Sequence, residues 1–240
     1  MLGPTIDLVR AEALSADGAD GYFAAMYARV TERVDHAIAA GRFGDGDGMA
    51  EFARTFADWY LGPRHGSRPV PACWQATLDV AADGRLLIVQ HLLLAINAHV
   101  NHDLPQVVVE LTDGGRSLES LRPDFDAIND ILAETQSDIV RDLGRVSGWT
   151  QWAAVAGGGR LFAFSLDRAR DQAWATAVRL HAADARAREV EVAELDRIVS
   201  ALAFMITRPS APIRWLLRIP RRLEIDDPPE VTRRLLGHLA

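Results

Sequence analysis

The sequence predicts an all-α protein, and three observations carry that reading. Apolar residues recur at three- and four-residue steps in segment after segment, the spacing of one helix face. Alternation of period two, which would mark a half-buried strand, never lasts more than a few residues. The segments are punctuated by Gly41, Gly62-Pro63, Asp113-Gly114-Gly115 and Pro123, residues that stop or start helices. A chain of 240 residues organised this way reads as one helical domain over 1–240, a bundle of about eight or nine helices, with 208–240 as a C-terminal tail packed on it.

The first expected helix runs from Ala19 to Ala40, with Phe23, Met26, Tyr27, Val30, Val34 and Ile38 as its buried stripe and Gly41 as its end. The loop Gly44 to Gly48 is too short to hold the ligand set of a calcium loop, and Asp47 reads as an N-cap. Met49 to Leu61 follows, turning Phe52, Phe56, Trp59 and Tyr60 inward, and Gly62-Pro63 should end it. His65 lies in a basic, turn-rich loop and is expected to be solvated. A third helix covers Cys73 to Ala82. The central helix, about 85–101, is the most apolar; Pro105 should break it and open a short helix to Leu111.

Pro123 opens a long helix to about Val146, with Ile128, Ile131, Leu132, Ile139, Val140 and Leu143 inward. Its ladder of Asp130, Glu134, Asp138 and Asp142 reads as a solvated face. Gly157-Gly158-Gly159 lacks the lysine and hydroxyl of a phosphate loop and reads as a turn. Phe162–Ala182 and Ala185–Thr207 complete the main body. In the tail, Arg214, Arg218, Arg221 and Arg222 flank Trp215, Leu216, Leu217 and Ile219. Docking on the bundle is the favoured reading of this segment, and contact with an anionic membrane surface is the weaker one.

Composition excludes several classes. All 26 basic residues are Arg and the net charge is −7, so no nucleic-acid partner is expected. Cys73 is the single cysteine, so no internal disulfide forms. No apolar run is long enough to span a bilayer and the N-terminus lacks a signal-peptide core, which gives a cytoplasmic expectation.

The chemistry concentrates in Gln90–Pro105, QHLLLAINAHVNHDLP, where three of the seven histidines fall within twelve residues. On a helix, His99 and Asp103 share one face with Leu92 and Ile96, while Gln90, Asn97 and Asn101 form a second polar line. His91 is about 12 Å of helical rise from His99, too far to share a metal. His99 and Asp103 can serve as ligands of one divalent metal, zinc or iron, or as a dyad in which Asp103 orients His99 for acid–base work. In the competing reading Asp103 caps the helix that Pro105 starts and His99 satisfies a buried partner. His91 and His102 are expected to be structural or solvated. A buried Arg170, one turn from Trp174, would need a carboxylate, with Asp103 or Asp124 as candidates.

The run HLLLAINAHVNHDLP resembles the hallmark of an uncharacterised bacterial family of helical proteins, one of the domain-of-unknown-function families. Further matching pieces are Arg29-Val30 through Arg33 with Gly41 and Phe43, the Phe56 and Tyr60-Leu61 region, Asp124-Phe125 with Ile128-Asn129, and Phe164-Ser165 through Arg170 and Trp174. The resemblance covers about residues 20 to 205 and implies a helical fold without an assigned activity. In that family Gly usually stands at Ala95 and an apolar residue at His102, so His99, Asn101 and Asp103 remain as the motif's polar set. A shorter likeness, limited to His99, Asp103 and Pro105, is to the zinc-dependent phospholipase C group. The expected site is therefore a metal- or small-ligand-binding cluster with hydrolase-like chemistry, centred on His99 and Asp103 and joined by His91, Asn97, Asn101, Arg170 and Trp174. The alternative is a non-catalytic scaffold or interaction protein in which the cluster fixes the fold.

Overall fold

The longest apolar stretch of the chain becomes the axis of the molecule. The computed structural model describes residues 1–149 and 159–237. An N-terminal helix, α1 (Gly3–Ser15), precedes the first expected one; Pro4 sits in its first turn, and Ile6, Val9 and Ala13 supply a short buried stripe. Helices α2 (Asp20–Ala39) and α3 (Gly46–His65) come next. The N-cap of α3 is Asp45, whose carboxylate accepts from Gly48 N, and not Asp47. The helix also passes through Pro63, since proline removes one donor in the last turn only. It ends at Gly66, where φ is +74° and a side chain would be strained. His65 is exposed, as expected.

After the short α4 (Ala72–Leu78), the chain forms α5 (Ile88–Ile96), a π-helical segment (Asn97–Asp103) and α6 (Leu104–Asp113) without interruption. The break expected at Pro105 does not occur. In the wider π turn the Leu104 amide reaches back five residues to His99 O, and the chain re-enters α geometry at the proline, where a missing N–H is tolerated. The central element thus runs from 88 to 113 rather than from 85 to 101.

The remaining helices are α7 (Leu118–Val146), α8 (Gly159–Ala182), α9 (Ala185–Thr207), α10 (Ala211–Leu216), α11 (Arg218–Arg221) and α12 (Pro228–Leu235). The fold is an all-α helical bundle. Gly157, Gly158 and the side chains of Ile139, Val140, Phe162, Phe164 and Ser165 lie outside the described residues. Among the described residues no helix is long and apolar enough to cross a membrane.

The two halves of the central element serve two cores. Ile88, Leu92, Ala95 and Ala98 pack with Phe23, Tyr60 and Trp74. Leu104, Val107, Val108 and Leu111 pack with Phe52, Phe125 and Trp174. The π segment between them touches α3, α4, α8 and α9. The acidic ladder of α7 is not a simple solvated face: Glu134, Asp138 and Asp142 pair with Arg42, Arg33 and Arg29, residues on α2 or just after it, and Asp142 is buried. In the tail, Val231 and Leu235 of α12 are fully buried, but the docking expected of segment 214–222 is not seen in its described apolar side chains. Trp215, Ile213 and Ile219 remain exposed.

Candidate functional site

The π segment brings His99, His102 and Asp103 to one buried point. Asp103 is fully buried, and a carboxyl group there needs several donors to replace water. It has three. Trp74 Nε1 of α4 donates to Oδ2 at 2.9 Å. His99 Nδ1 lies 3.0 Å from the same oxygen, and His102 Nδ1 lies 2.8 Å from Oδ1. Asp103 makes no side-chain cap and has helical backbone angles, so the capping role open to it in the sequence is not the one it plays.

These bonds assign the tautomers. Each histidine donates its Nδ1–H to Asp103, which leaves Nε2 as a lone-pair acceptor. His99 Nε2 is buried and has no hydrogen-bond partner among the described residues. The His99 ring lies parallel to Phe56, centroids 3.6 Å apart, and meets Tyr27, Phe23 and Tyr60 edge-on at 4.9, 5.5 and 5.9 Å. Burial pushes the His99 pKa down, with the Asp103 bond opposing it, so the ring is neutral at physiological pH.

His99 also lines an apolar cavity of about 130 Å³ between α2, α3, the π segment, α7 and α8. Its wall includes Phe23, Tyr27, Phe56, Ile96 and Ile128, with Arg170 as the second nitrogen-bearing side chain. Val30, Leu132 and Leu166 in the wall are only partly buried, so the cavity's rim reaches the surface. Arg170 has no carboxylate hydrogen-bonded to it among the described residues. It donates to Asn129 Oδ1 at 2.6 Å and to Phe125 O at 2.5 Å and stacks on the Phe125 ring at 4.3 Å. Neither expected partner is available: Asp103 is taken by the histidines and Trp74, and Asp124 accepts from the amides of Gly44 and Asp45. Burial lowers the Arg170 pKa to about 10, which leaves it charged near neutrality.

The other sequence candidates lie apart. Asn97 donates to Val199 O, Asn101 to Asn97 Oδ1 and Gln90 to Ile206 O, so this polar line is largely a seam holding α9. His91 faces a different cavity, of about 330 Å³, with Tyr22, Asp83, Arg221 and Glu224. Burial drives its pKa down to about 4. Trp174 packs on Phe125 at 4.8 Å, in the second core rather than against His99.

Sequence reasoning missed three residues of this region. Trp74 is the third donor to Asp103. Cys73 is buried beside it, and Asp196 of α9 accepts from the amides of Ala72 and Cys73 at 2.8 Å each. Ligand atoms of Cys73, His102 and Asp196 lie within 4.8 Å of one another, the one such three-residue group among the described residues. His102, expected to be structural or solvated, is 3% exposed and central. Burial and the Asp196 contact hold the Cys73 thiol far above its ordinary pKa, so it is not a ready nucleophile.

With this geometry in place, comparison with known families is decisive on one point. A family described as of unknown function, DUF5995, matches residues 5–209. The chain belongs to DUF5995. The match takes in the whole central element, Trp74 and Asp196, and so both histidine environments lie within the family's span. No curated protein and no solved structure matches the chain.

Proposed function

We propose that this DUF5995 protein binds a small, mainly apolar ligand in the cavity against His99, and that the ligand donates one hydrogen bond to His99 Nε2. The observation that carries the reading is that nitrogen: a buried acceptor without a partner among the described residues, on the wall of an apolar cavity. A buried polar atom left unpaired costs about 1–3 kcal/mol, which a ligand hydroxyl or N–H would recover. Asp103 is a positioning residue in this scheme, fixing the tautomer and the ring plane. The cavity size suits a single ring or a short chain, since an apolar cavity of about 150 Å³ takes up benzene.

Binding fits the wall better than hydrolysis. Among the described residues lining the cavity, the hydroxyls are those of Tyr27 and Thr31. Thr31 donates its own to Tyr27 O, and burial raises the Tyr27 pKa well above its usual value. The scaffold reading draws its support from Asp103, whose two oxygens are both engaged by protein donors.

The two readings part at His99 Nε2. Phenol and benzene are matched probes that differ by one O–H donor. Titration followed by the imidazole ¹⁵N signal of His99 should show phenol binding tighter by about 2- to 10-fold, the worth of one neutral hydrogen bond. His99→Leu should erase that preference while keeping benzene binding. Equal affinities for both probes, or no uptake of either, would leave the cluster with a purely fold-fixing role.

A further inference from the structure

We infer that Cys73, His102 and Asp196 form a metal site for zinc or a similar borderline divalent cation, with Asp103 as the carboxylate that orients its histidine. The three donors come from three elements, α4, the π segment and α9, and their ligand atoms lie within 4.8 Å of one another. A tetrahedral zinc with bonds of about 2.0–2.3 Å holds its ligands roughly 3.3–3.8 Å apart, so shifts of about an ångström close the set. Thiolate, imidazole and carboxylate together are a zinc donor set, and three protein ligands leave a fourth position for water.

The second observation is how His102 is held. It is 3% exposed, and its Nδ1 is committed to Asp103 Oδ1 at 2.8 Å, so its ligating nitrogen is Nε2. A carboxylate on the far nitrogen of a metal-binding histidine is the recurrent arrangement that fixes its tautomer and raises its basicity. Gln106 Nε2 is 3.3 Å from both ring nitrogens, an equal distance that puts it off the lone-pair direction of either. Asp196 is fixed in the same manner by the amides of Ala72 and Cys73, and each of its oxygens keeps a further lone pair.

Charge also closes. On binding, the Cys73 S–H bond is replaced by an S–metal bond and one proton leaves to solvent, while His102 binds neutral. Thiolate and Asp196 carboxylate then match the dication's charge within the ligand set, with the Asp103 carboxylate outside it on His102 Nδ1. This site uses the other histidine and no atom of the cavity wall; Asp103, which holds both rings, is what the two sites share.

The test is cobalt titration of the full chain after removal of metal with a chelator. We expect one Co²⁺ per chain with a thiolate-to-cobalt charge-transfer absorption, displacement by Zn²⁺, and a rise in melting temperature on Zn²⁺ addition. Cys73→Ser should lose the absorption and the stoichiometric uptake, and Asp103→Asn should weaken affinity about 10- to 100-fold. Should Cys73→Ser not fold, the wild-type cobalt spectrum and Asp196→Asn carry the same test. Absence of the thiolate absorption in the wild type, or uptake unchanged by Cys73→Ser or Asp196→Asn, would overturn the site.

Discussion

Replacing Asp103 by asparagine changes one acceptor oxygen into an NH₂ group and keeps the shape. Oδ2 serves Trp74 and His99 together and Oδ1 serves His102 alone, so the amide oxygen should keep the two-donor side and the NH₂ should face His102 Nδ1. Two N–H groups then point at each other unless His102 gives up its Nδ1 proton and takes the other tautomer. The variant loses the extra strength of charge-assisted bonds and opposes one buried donor, together about 2–4 kcal/mol. For a chain of this size about 1 kcal/mol moves the midpoint by roughly 2–4 °C, so thermal unfolding should shift down by about 4–16 °C. Circular dichroism reads the midpoint, and ¹⁵N imidazole spectra read the tautomer of His102. An unchanged midpoint with His102 still protonated on Nδ1 would show that Asp103 does not hold the cluster as described.

Three further outcomes can be checked independently. Trp74→Phe removes one donor to Asp103 from a fully buried site and should destabilise by about 1–3 kcal/mol, read by urea unfolding. Asp196→Ala strips both amides at the start of α4 of their acceptor and should cost about 0.5–2 kcal/mol in metal-free protein; no change would place the capping elsewhere. His91 has a folded pKa of about 4 against 6.5 unfolded, so its contribution is complete above pH 6.5 and is lost as the pH falls to about 4. The loss reaches about 3 kcal/mol at about 1.4 kcal/mol per unit, and His91→Gln should flatten the stability–pH curve in that interval.

The sequence made the helices readable because their apolar stripes are local, repeating every three or four residues. The contact between His99 and Asp103 was readable for the same reason: four residues on a helix meet whatever surrounds them. What joins them was not, since Trp74 lies 29 residues from Asp103, and Asp196 lies 123 from Cys73, along the chain. Such pairs depend on how α4 and α9 pack on the central element. One missed feature did leave a local trace. Ile88, Leu92, Ala95 and His99 continue in α phase to Gln106 and Glu110, yet the apolar stripe resumes at Leu104, Val108 and Leu111. That slip is the π segment written in the sequence, and the proline beside it makes it easy to mistake for a helix end.

The π segment also acts as a phase adjuster. One extra residue in a helix turns everything after it by about 100° relative to everything before. Here that rotation lets α5 address α2 and α9 while α6 addresses α3 and α8. Deleting Asn101 would leave both apolar stripes intact. It would nonetheless swing Leu104, Val107 and Val108 away from Phe52 and Phe125, so the lesion would appear in the second core although the residue came from the joint. The histidines sit at that joint, where anything they hold is felt by both halves of the molecule.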